Sequence, residues 1–322
     1  MDRIKVGVIG TGHLGRFHAL NYAQMPEAEL AGVTDLDAAK AEAVAQEAHC
    51  RAYPDPASLL KDVQAVSIAV PTDWHHTVGL EVLQRGIHCL IEKPIARTLE
   101  EADELVGLAR QKKAVLHVGH VERFNPAIQA LRGYTLRPQF IEAHRLAQFN
   151  PRGTEVSVIL DLMIHDIDIA LHLVGTPVRR VDASGVAVVS QTADIANARI
   201  LFENGAVANL TASRISQKKM RKTRFFQRDA YITVDFLDKV AEVYSLESGE
   251  AGKGMVLAEI GVGDRKKRVS YRRLDVPEKG GLRLELEAFL QSIRGGPSAA
   301  VTGEEGRAAL AVAMTVLDRM ET

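Results

Sequence analysis

A lysine at a strand end, and a carboxylate and an imidazole one helical turn apart, are the groups in this sequence best suited to take a hydroxyl apart. Lys93 follows Cys89-Leu-Ile-Glu92, a short apolar strand, and precedes Pro94, which restricts the backbone around it. A lysine so placed is partly desolvated. It can hydrogen-bond a substrate hydroxyl and stabilise the alkoxide that develops as a hydride leaves. The same residues also read as a surface lysine paired with Glu92. Asp161 and His165, in Asp161-Leu-Met-Ile-His165-Asp166, are four residues apart and share one face of a helix. A neutral imidazole can take a hydroxyl proton near neutral pH while a carboxylate orients it. The plainer reading is a buried, hydrogen-bonded histidine beside two exposed acids. A metal site built from Asp161, His165 and His75 lacks a compact three-ligand spacing, and no metal is expected. All 11 histidines lie between His13 and His172, so imidazole chemistry has to come from that part of the chain.

A departing hydride needs an acceptor, and the first residues supply a place for one. Gly10-Thr11-Gly12-His13-Leu14-Gly15 follows an apolar strand and opens a helix, the context in which Gly-x-Gly-x-x-Gly is informative. The first glycine allows the tight turn, the second lets the backbone approach a pyrophosphate, and the third lets helix pack on strand. The phosphates then sit on the free N–H groups at the helix start. Asp35 ends the second strand, 20 residues after Gly15, where a carboxylate can bind the hydroxyls of an adenosine ribose. It repels a 2′-phosphate, and Leu36 and Asp37 offer no arginine to hold one, so NAD is favoured over NADP. The bland alternative makes Asp37 a helix cap and Asp35 a solvated loop residue.

These groups need a frame. Strand and helix patterns alternate over about 120 residues, which predicts a doubly wound parallel sheet with right-handed crossovers. Strands are expected near 4–10, 28–34, 51–52, 65–70, 89–92 and 115–118. Helices are expected near 14–24, 37–48, 56–61, 75–85 (with Gly86 beyond its end) and 98–110. Beyond Gly119 the rhythm changes. A helix over 121–132, a strand over 139–148 and a helix over 158–174 are followed by long strands to about 274. Asn204-Gly205 marks a type I′ hairpin. Residues 281–294 form an amphipathic helix, and Thr302 with Glu305 form a capping box before the last one. The fold class is therefore α/β, in two domains. Residues 1–120 form a Rossmann doubly wound parallel sheet, and 121–322 an α+β domain with a large, mostly antiparallel open sheet.

Ligands in open parallel sheets bind beyond the carboxyl ends of the strands. Besides the glycines and Asp35, that edge carries Pro71, Thr72 and His75, then Glu92 and Lys93, then His120, Arg123 and Asn125. A further stretch, Arg214 to Arg224, holds six basic residues in 11 positions with no acid before Asp229. Its usual fate is a solvated strand edge; its sharper use is a cationic rim, through Lys218 and Arg221, for an anionic substrate such as a nucleotide-diphosphate sugar. Arg265-Lys-Lys-Arg268 reads as a loop.

Composition bounds the rest. The chain has 322 residues, 40 basic against 41 acidic side chains, 46% hydrophobic and 25% charged residues, an ordinary globular balance. Near-neutral charge and a single Trp argue against a nucleic-acid partner. No apolar run reaches the length of a membrane span, and the N-terminus lacks the layout of a signal peptide. Cys50 and Cys89 form no metal or disulfide pattern, so a reducing, cytoplasmic setting is expected.

On Gly10 to Gly15, Pro71-Thr-Asp-Trp-His75, Glu92-Lys-Pro94, and Asp161 with His165, the chain resembles the Gfo/Idh/MocA family of NAD(P)-dependent oxidoreductases over essentially its whole length. The resemblance implies that Lys93, Asp161 and His165 match the family's catalytic positions. It also implies that the open C-terminal sheet makes homo-oligomer contacts, in a dimer or tetramer. The family's Asp-x-Gly-x-His has Met163 in place of glycine here. Gly119-His-Val-Glu-Arg-Phe-Asn-Pro126, Asp161 to Asp166 and the basic run before Phe225-Phe226 resemble a narrower group within it. That group oxidises the C3 hydroxyl of UDP-N-acetylglucosamine before transamination, on the route to amide-linked lipid A. The expectation is an NAD-dependent oxidoreductase acting on a UDP-sugar. Two alternatives stand beside it: a dehydrogenase of a free sugar, polyol or inositol, and an NAD(H)-binding redox sensor, which would need no acid–base set. Hydrolysis through transient redox also occurs in the family.

Overall fold

The computed structural model describes residues 2–150, 156–247, 254–261, 267–297 and 299–320. They fall into two units: Met1–Val121 with Gly281–Leu310, and Glu122–Gly280 with Ala311–Thr322.

The first unit is a six-stranded sheet of β1 (Ile4–Ile9), β2 (Ala28–Thr34), β3 (Arg51–Ala52), β4 (Ala65–Ile68), β5 (His88–Glu92) and β6 (Leu116–Gly119), ordered 3-2-1-4-5-6 and parallel throughout. Helices α1 (His13–Ala23), α2 (Ala38–Glu47), α3 (Pro56–Leu59), α4 (His75–Gln84) and α5 (Leu99–Lys112) make the crossovers. The strands are short apolar runs because layers on both faces bury them. Local chemistry ends the helices where the sequence says it should: Asp37 caps α2, and Gly86, at φ +74, follows α4. The strand order reverses at β1, between β2 and β4, which opens a crevice at their carboxyl ends.

The chain does not divide once, at residue 120, as its sequence pattern suggests. Residues 281–310 return to the first unit. There α8 (Gly281–Ile293) buries Leu286, Phe289 and Leu290 in one core with Ile4, Val6, Val8 and Tyr22. The final helix α9 (Gly303–Met320) begins with the expected capping box: Thr302 N–H donates to Glu305 Oε2 at 3.0 Å, and Glu305 N–H to Thr302 Oγ1 at 3.2 Å.

In the second unit, β7 (Phe140–Leu146), β8 (Val178–Val186), β9 (Ile195–Phe202), β10 (Val207–Ser213), β11 (Met220–Phe226), β12 (Ala230–Asp235), β13 (Val240–Glu247), β14 (Met255–Ile260) and β15 (Lys267–Arg273) form one sheet, ordered 14-15-13-12-11-7-10-9-8. Its described pairs are antiparallel except β7 with β10. On one face, Ile141, Ala143, Leu210 and Phe225 are buried, and α7 (Ile164–Val174) packs on β10. On the other, Phe140, Phe226, Tyr231, Tyr244 and Tyr271 form a ladder with ring centroids 4.9–5.8 Å apart.

Local departures from the sequence reading have local causes. The helix expected over 121–132 is broken into a 3₁₀ turn, a four-residue α6 (Pro126–Gln129) capped by Asn125, and a second 3₁₀ turn. Pro126 lacks the N–H that a continuous helix would need there. The Asn204-Gly205 hairpin forms, but only Gly205 has positive φ, at +85, and its N–H donates to Phe202 O. That is a tight turn followed by a left-handed glycine, not type I′. Of the second basic stretch, Lys267 and Arg268 open β15, and 265–266 lie outside the described residues.

Candidate active site

The nucleotide-side residues lie in the first unit. The glycine loop behaves as its spacing demands. Gly10 has φ +91, and a Cβ on Gly15 would stand 1.8 Å from the Gly10 carbonyl oxygen, so only glycine lets α1 sit this close to β1. At Gly12 a Cβ would meet nothing within 4 Å: that position is constrained by no protein atom, as expected where a ligand approaches. Asp35 lies half-buried in the loop just past β2 and is held there by hydrogen bonds. Its Oδ2 accepts from Thr11 N (2.6 Å) and Thr11 Oγ1 (3.0 Å), and its Oδ1 from Asp37 N (2.9 Å). Three of the roughly four lone-pair sites of the carboxylate are used. One remains on Oδ1 for a ribose hydroxyl, and the charge still opposes a 2′-phosphate.

A cleft of about 680 Å³ runs along this edge, lined by Gly10, Gly12, His13, Leu14, Asp35 and Pro71 of the expected set. Its other lining residues include Leu36, Trp74 and Lys40, to which the sequence pattern assigns no binding role. Leu36 is 96% exposed and Trp74 52%. Apolar surface left bare beside Asp35 suits the flat face of an adenine. Thr72 starts a 3₁₀ turn that leads into α4.

Lys93 is half-buried at the end of β5, between two anchored neighbours. Glu92 is buried and lies 2.8 Å from Nε2 of His18, on α1. Burial pushes the Glu92 carboxyl up, but the His18 hydrogen bond and the charges of His18, Lys93 and His75 outweigh it, so it titrates below the usual carboxylate range. Gly119 leaves room for it: a Cβ there would be 2.9 Å from Glu92 Oε2. On the other side, Pro94 O is 2.8 Å from His75 Nδ1, while His75 Nε2 is 2.9 Å from Val70 O. His75 is therefore lodged between the strand ends of β4 and β5, where a neutral ring has one N–H to donate to one of the two carbonyls. Burial lowers its pKa, only partly opposed by the two carbonyls. His18 escaped the sequence reading because nothing in its spacing distinguishes it from a core residue of α1.

The second unit holds the acid–base pair and the basic run. Asp161 sits in a π-helical turn, Ile159–Met163, that runs into α7 with His165 in its first turn. Wide turns of this kind are concentrated at functional sites; the sequence pattern reads simply as helix. Asp161 is exposed and His165 half-buried. Asp161 lines a cleft of about 550 Å³ together with Gln148, Asn150, Arg214, Lys219 and Arg221. Strand alternation divides the basic run. Arg221 shares a face of β11 with buried Thr223 and Phe225 and reaches the cleft. Lys222 and Arg224 point the other way and pair with Asp235 (3.0 Å) and Glu142 (2.6 Å). Lys218 is exposed and outside the cleft lining; its neighbour Lys219 takes that place. Arg214 is nearly buried and donates to Val156 O.

The segment after β6 is more inward than expected. His120 is 1% exposed, and Arg123 is 6% exposed, with Nε and Nη2 each 2.7 Å from an Asp168 oxygen. Asn125 spends its amide on Glu122 Oε2 and Phe236 O and its oxygen on Ala127 N. The structure thus brings Asp161 and Arg221 to one cleft and gives Arg123 and Asn125 internal partners. Among the described residues, no group of three or more His, Cys, Asp or Glu is placed to hold a metal ion, and no helix is long and apolar enough to cross a membrane.

Residues 4–120 match the family model described as an oxidoreductase family with an NAD-binding Rossmann fold, and residues 128–233 match the GFO/IDH/MocA C-terminal domain. The chain belongs to the GFO/IDH/MocA family and is an oxidoreductase of the NAD-binding kind. It is 43% identical over 318 residues to UDP-N-acetylglucosamine 3-dehydrogenase of Acidithiobacillus ferrooxidans, covering 98% of this chain and 97% of that one. A solved structure of that enzyme superposes with a TM-score of 0.88 at 41% identity, covering 100% of this chain and 99% of the other. Myo-inositol 2-dehydrogenase of Thermotoga maritima is 26% identical over 326 residues, 95% of this chain and 93% of its own.

Proposed function

We propose that this enzyme oxidises the C3 hydroxyl of UDP-N-acetylglucosamine to a 3-keto sugar with NAD. The observation that carries the reading is the 550 Å³ cleft, in which Asp161 shares a wall with Arg214, Lys219 and Arg221. A sugar linked to a diphosphate needs proton chemistry at one end and fixed cations at the other, whereas a free polyol needs no such cations. The name of the 43%-identical relative agrees.

In this reading Gly10, Gly12 and the start of α1 seat the pyrophosphate of NAD and Asp35 holds a ribose hydroxyl. NAD, when bound, accepts the hydride. His165 takes the hydroxyl proton, Asp161 orients the imidazole, and Lys93 donates to the oxygen as negative charge builds on it. One C–H and one O–H bond break, a C=O bond forms, and the proton leaves through His165. Arg221 and Lys219 hold the diphosphate. The 3-keto product then suits a transamination, on a route to amide-linked lipid A. Free thiols at Cys50 and Cys89 fit a cytoplasmic setting. The aromatic ladder on the open face of the nine-stranded sheet supports a homo-oligomer built on that face.

The test is NADH formation with UDP-N-acetylglucosamine set against other UDP-sugars, free N-acetylglucosamine and myo-inositol. Turnover confined to the UDP-sugars supports the proposal. A preference for inositol or a free sugar would replace it.

A further inference from the structure

The buried charges beneath α7 carry one step more, which rests on the reading of Arg221 as a diphosphate ligand. Arg145 is among the largest fully enclosed side chains, at 2% exposed. It projects from the core face of β7, in step with Ile141 and Ala143. Its Nε and Nη2 donate to Asp166 Oδ2 and Oδ1, both at 2.9 Å, and its Nη1 to Glu122 Oε1 at 2.7 Å. Burial alone would weaken the guanidinium's hold on its proton, but Asp166 and Glu122 outweigh it and raise the pKa. Glu122 is itself buried. Its Oε1 also accepts from Arg221 Nη1 at 3.2 Å, and its Oε2 from Asn125 Nδ2 at 3.1 Å. Arg221 is 42% exposed and reaches the cleft that Asp161 lines.

A long arginine on a strand end has many rotamers, and only a few aim its free N–H groups into the cleft. Glu122 removes most of them. The carboxylate's charge does not stand alone against an incoming anion: Arg145 and Arg221 together match Glu122 and Asp166, and the Glu122 bond takes only Nη1 of Arg221. Arg145 in turn grips Asp166, the residue next to His165, with a planar fork that fixes orientation as well as distance.

We propose that Glu122 is a positioning residue that sets Arg221 for the anionic half of the substrate. Arg145 locks it in place, so that the anion seat and the helix bearing His165 are referenced to one buried guanidinium. The Gly119 to Pro126 segment then earns its sequence pattern through Glu122, not through direct substrate contact by Arg123 or Asn125.

The test is a double-mutant cycle read by UDP binding, measured calorimetrically on the full chain, alongside turnover of UDP-N-acetylglucosamine. Glu122→Gln should weaken UDP by about tenfold, the worth of one charge-assisted hydrogen bond. It should raise KM in step and leave kcat within a few-fold. In an Arg221→Gln background the same change should have no further effect on UDP, because its action passes through Arg221. Glu122→Asp keeps the charge that Arg145 needs but draws it back from Arg221, and should weaken UDP in the same sense. NADH affinity reports whether each variant is folded. Equal losses in both backgrounds, or unchanged UDP binding in both folded Glu122 variants, would overturn the proposal while leaving Arg221 as a ligand. Unchanged UDP binding in Arg221→Gln would instead overturn the anion reading itself, and this proposal with it.

Discussion

Alanine at Gly12 and alanine at Gly15 should act in opposite directions, although both glycines belong to one motif. At Gly15 the new Cβ would lie 1.8 Å from Gly10 O, against an ordinary carbon–oxygen approach of about 3.3 Å. Both atoms are backbone-fixed, so α1 must retreat from the β1 turn by roughly 1.5 Å. Overpacking of this size costs about 1–3 kcal/mol, and a displacement of about 1 Å at a binding element costs about 100-fold in rate. Gly15→Ala should therefore melt several degrees lower and lose turnover. At Gly12 the Cβ meets nothing within 4 Å, and φ −62, ψ −167 is backbone that alanine adopts freely. Gly12→Ala should be as stable as the parent or up to about 1 kcal/mol more so, since the unfolded chain loses freedom. The space it fills is, however, the space a pyrophosphate needs. NADH affinity should fall about tenfold or more, equivalent to at least about 1.4 kcal/mol. Thermal melts without nucleotide give the first quantity and NADH fluorescence titration the second. A stable Gly12→Ala variant that binds NADH within about twofold of the parent would show that the phosphates do not use this loop.

Three further outcomes are expected. His165→Ala should lower kcat by about 10²–10⁴ while leaving NADH affinity intact; unchanged turnover in steady-state assays would remove His165 as the base. Burial drives the His117 pKa down to about 4, below the roughly 6.5 of an unfolded histidine. Its contribution to stability is thus complete above pH ~6.5 and drains away as pH falls toward ~4, by about 2 kcal/mol at pH ~5. His117→Leu should flatten that acid-side loss in urea unfolding, and parallel curves for parent and variant would contradict it. If the proposed homo-oligomer is built on the outer aromatic ladder, Tyr244→Glu, in its middle, should lower the sedimentation coefficient; an unchanged coefficient would refute a contact on that face.

The nucleotide-binding frame was legible because each of its elements is signalled locally. Apolar β-branched residues mark β1 and β4, Asp37 and Gly86 punctuate helices, and the glycine spacing encodes a turn and a packing distance that Gly10 and Gly15 confirm. What escaped depends on residues brought together from far along the chain. No local pattern says that Leu286 and Phe289 finish the core begun by Val6 and Val8. None says that Arg145 bridges Glu122 and Asp166, whose sequence distances are 23 and 21 residues. A lone arginine in an alternating strand looks like a solvent position. The π turn around Asp161 was equally hidden, since its residues are ordinary helix formers. The division of the basic run was readable in principle: strand alternation alone separates Arg221 from Lys222 and Arg224.

The return of α8 to the first unit has a consequence for how the protein is made. A nascent chain emerges from the ribosome with β1 to β6 complete long before Leu286, Phe289 and Leu290 exist. At roughly 5–20 residues per second, the flank of the sheet that they cover stays bare for about 10–30 s. During that interval the chain offers a hydrophobic face to chaperones or to neighbouring polysomes.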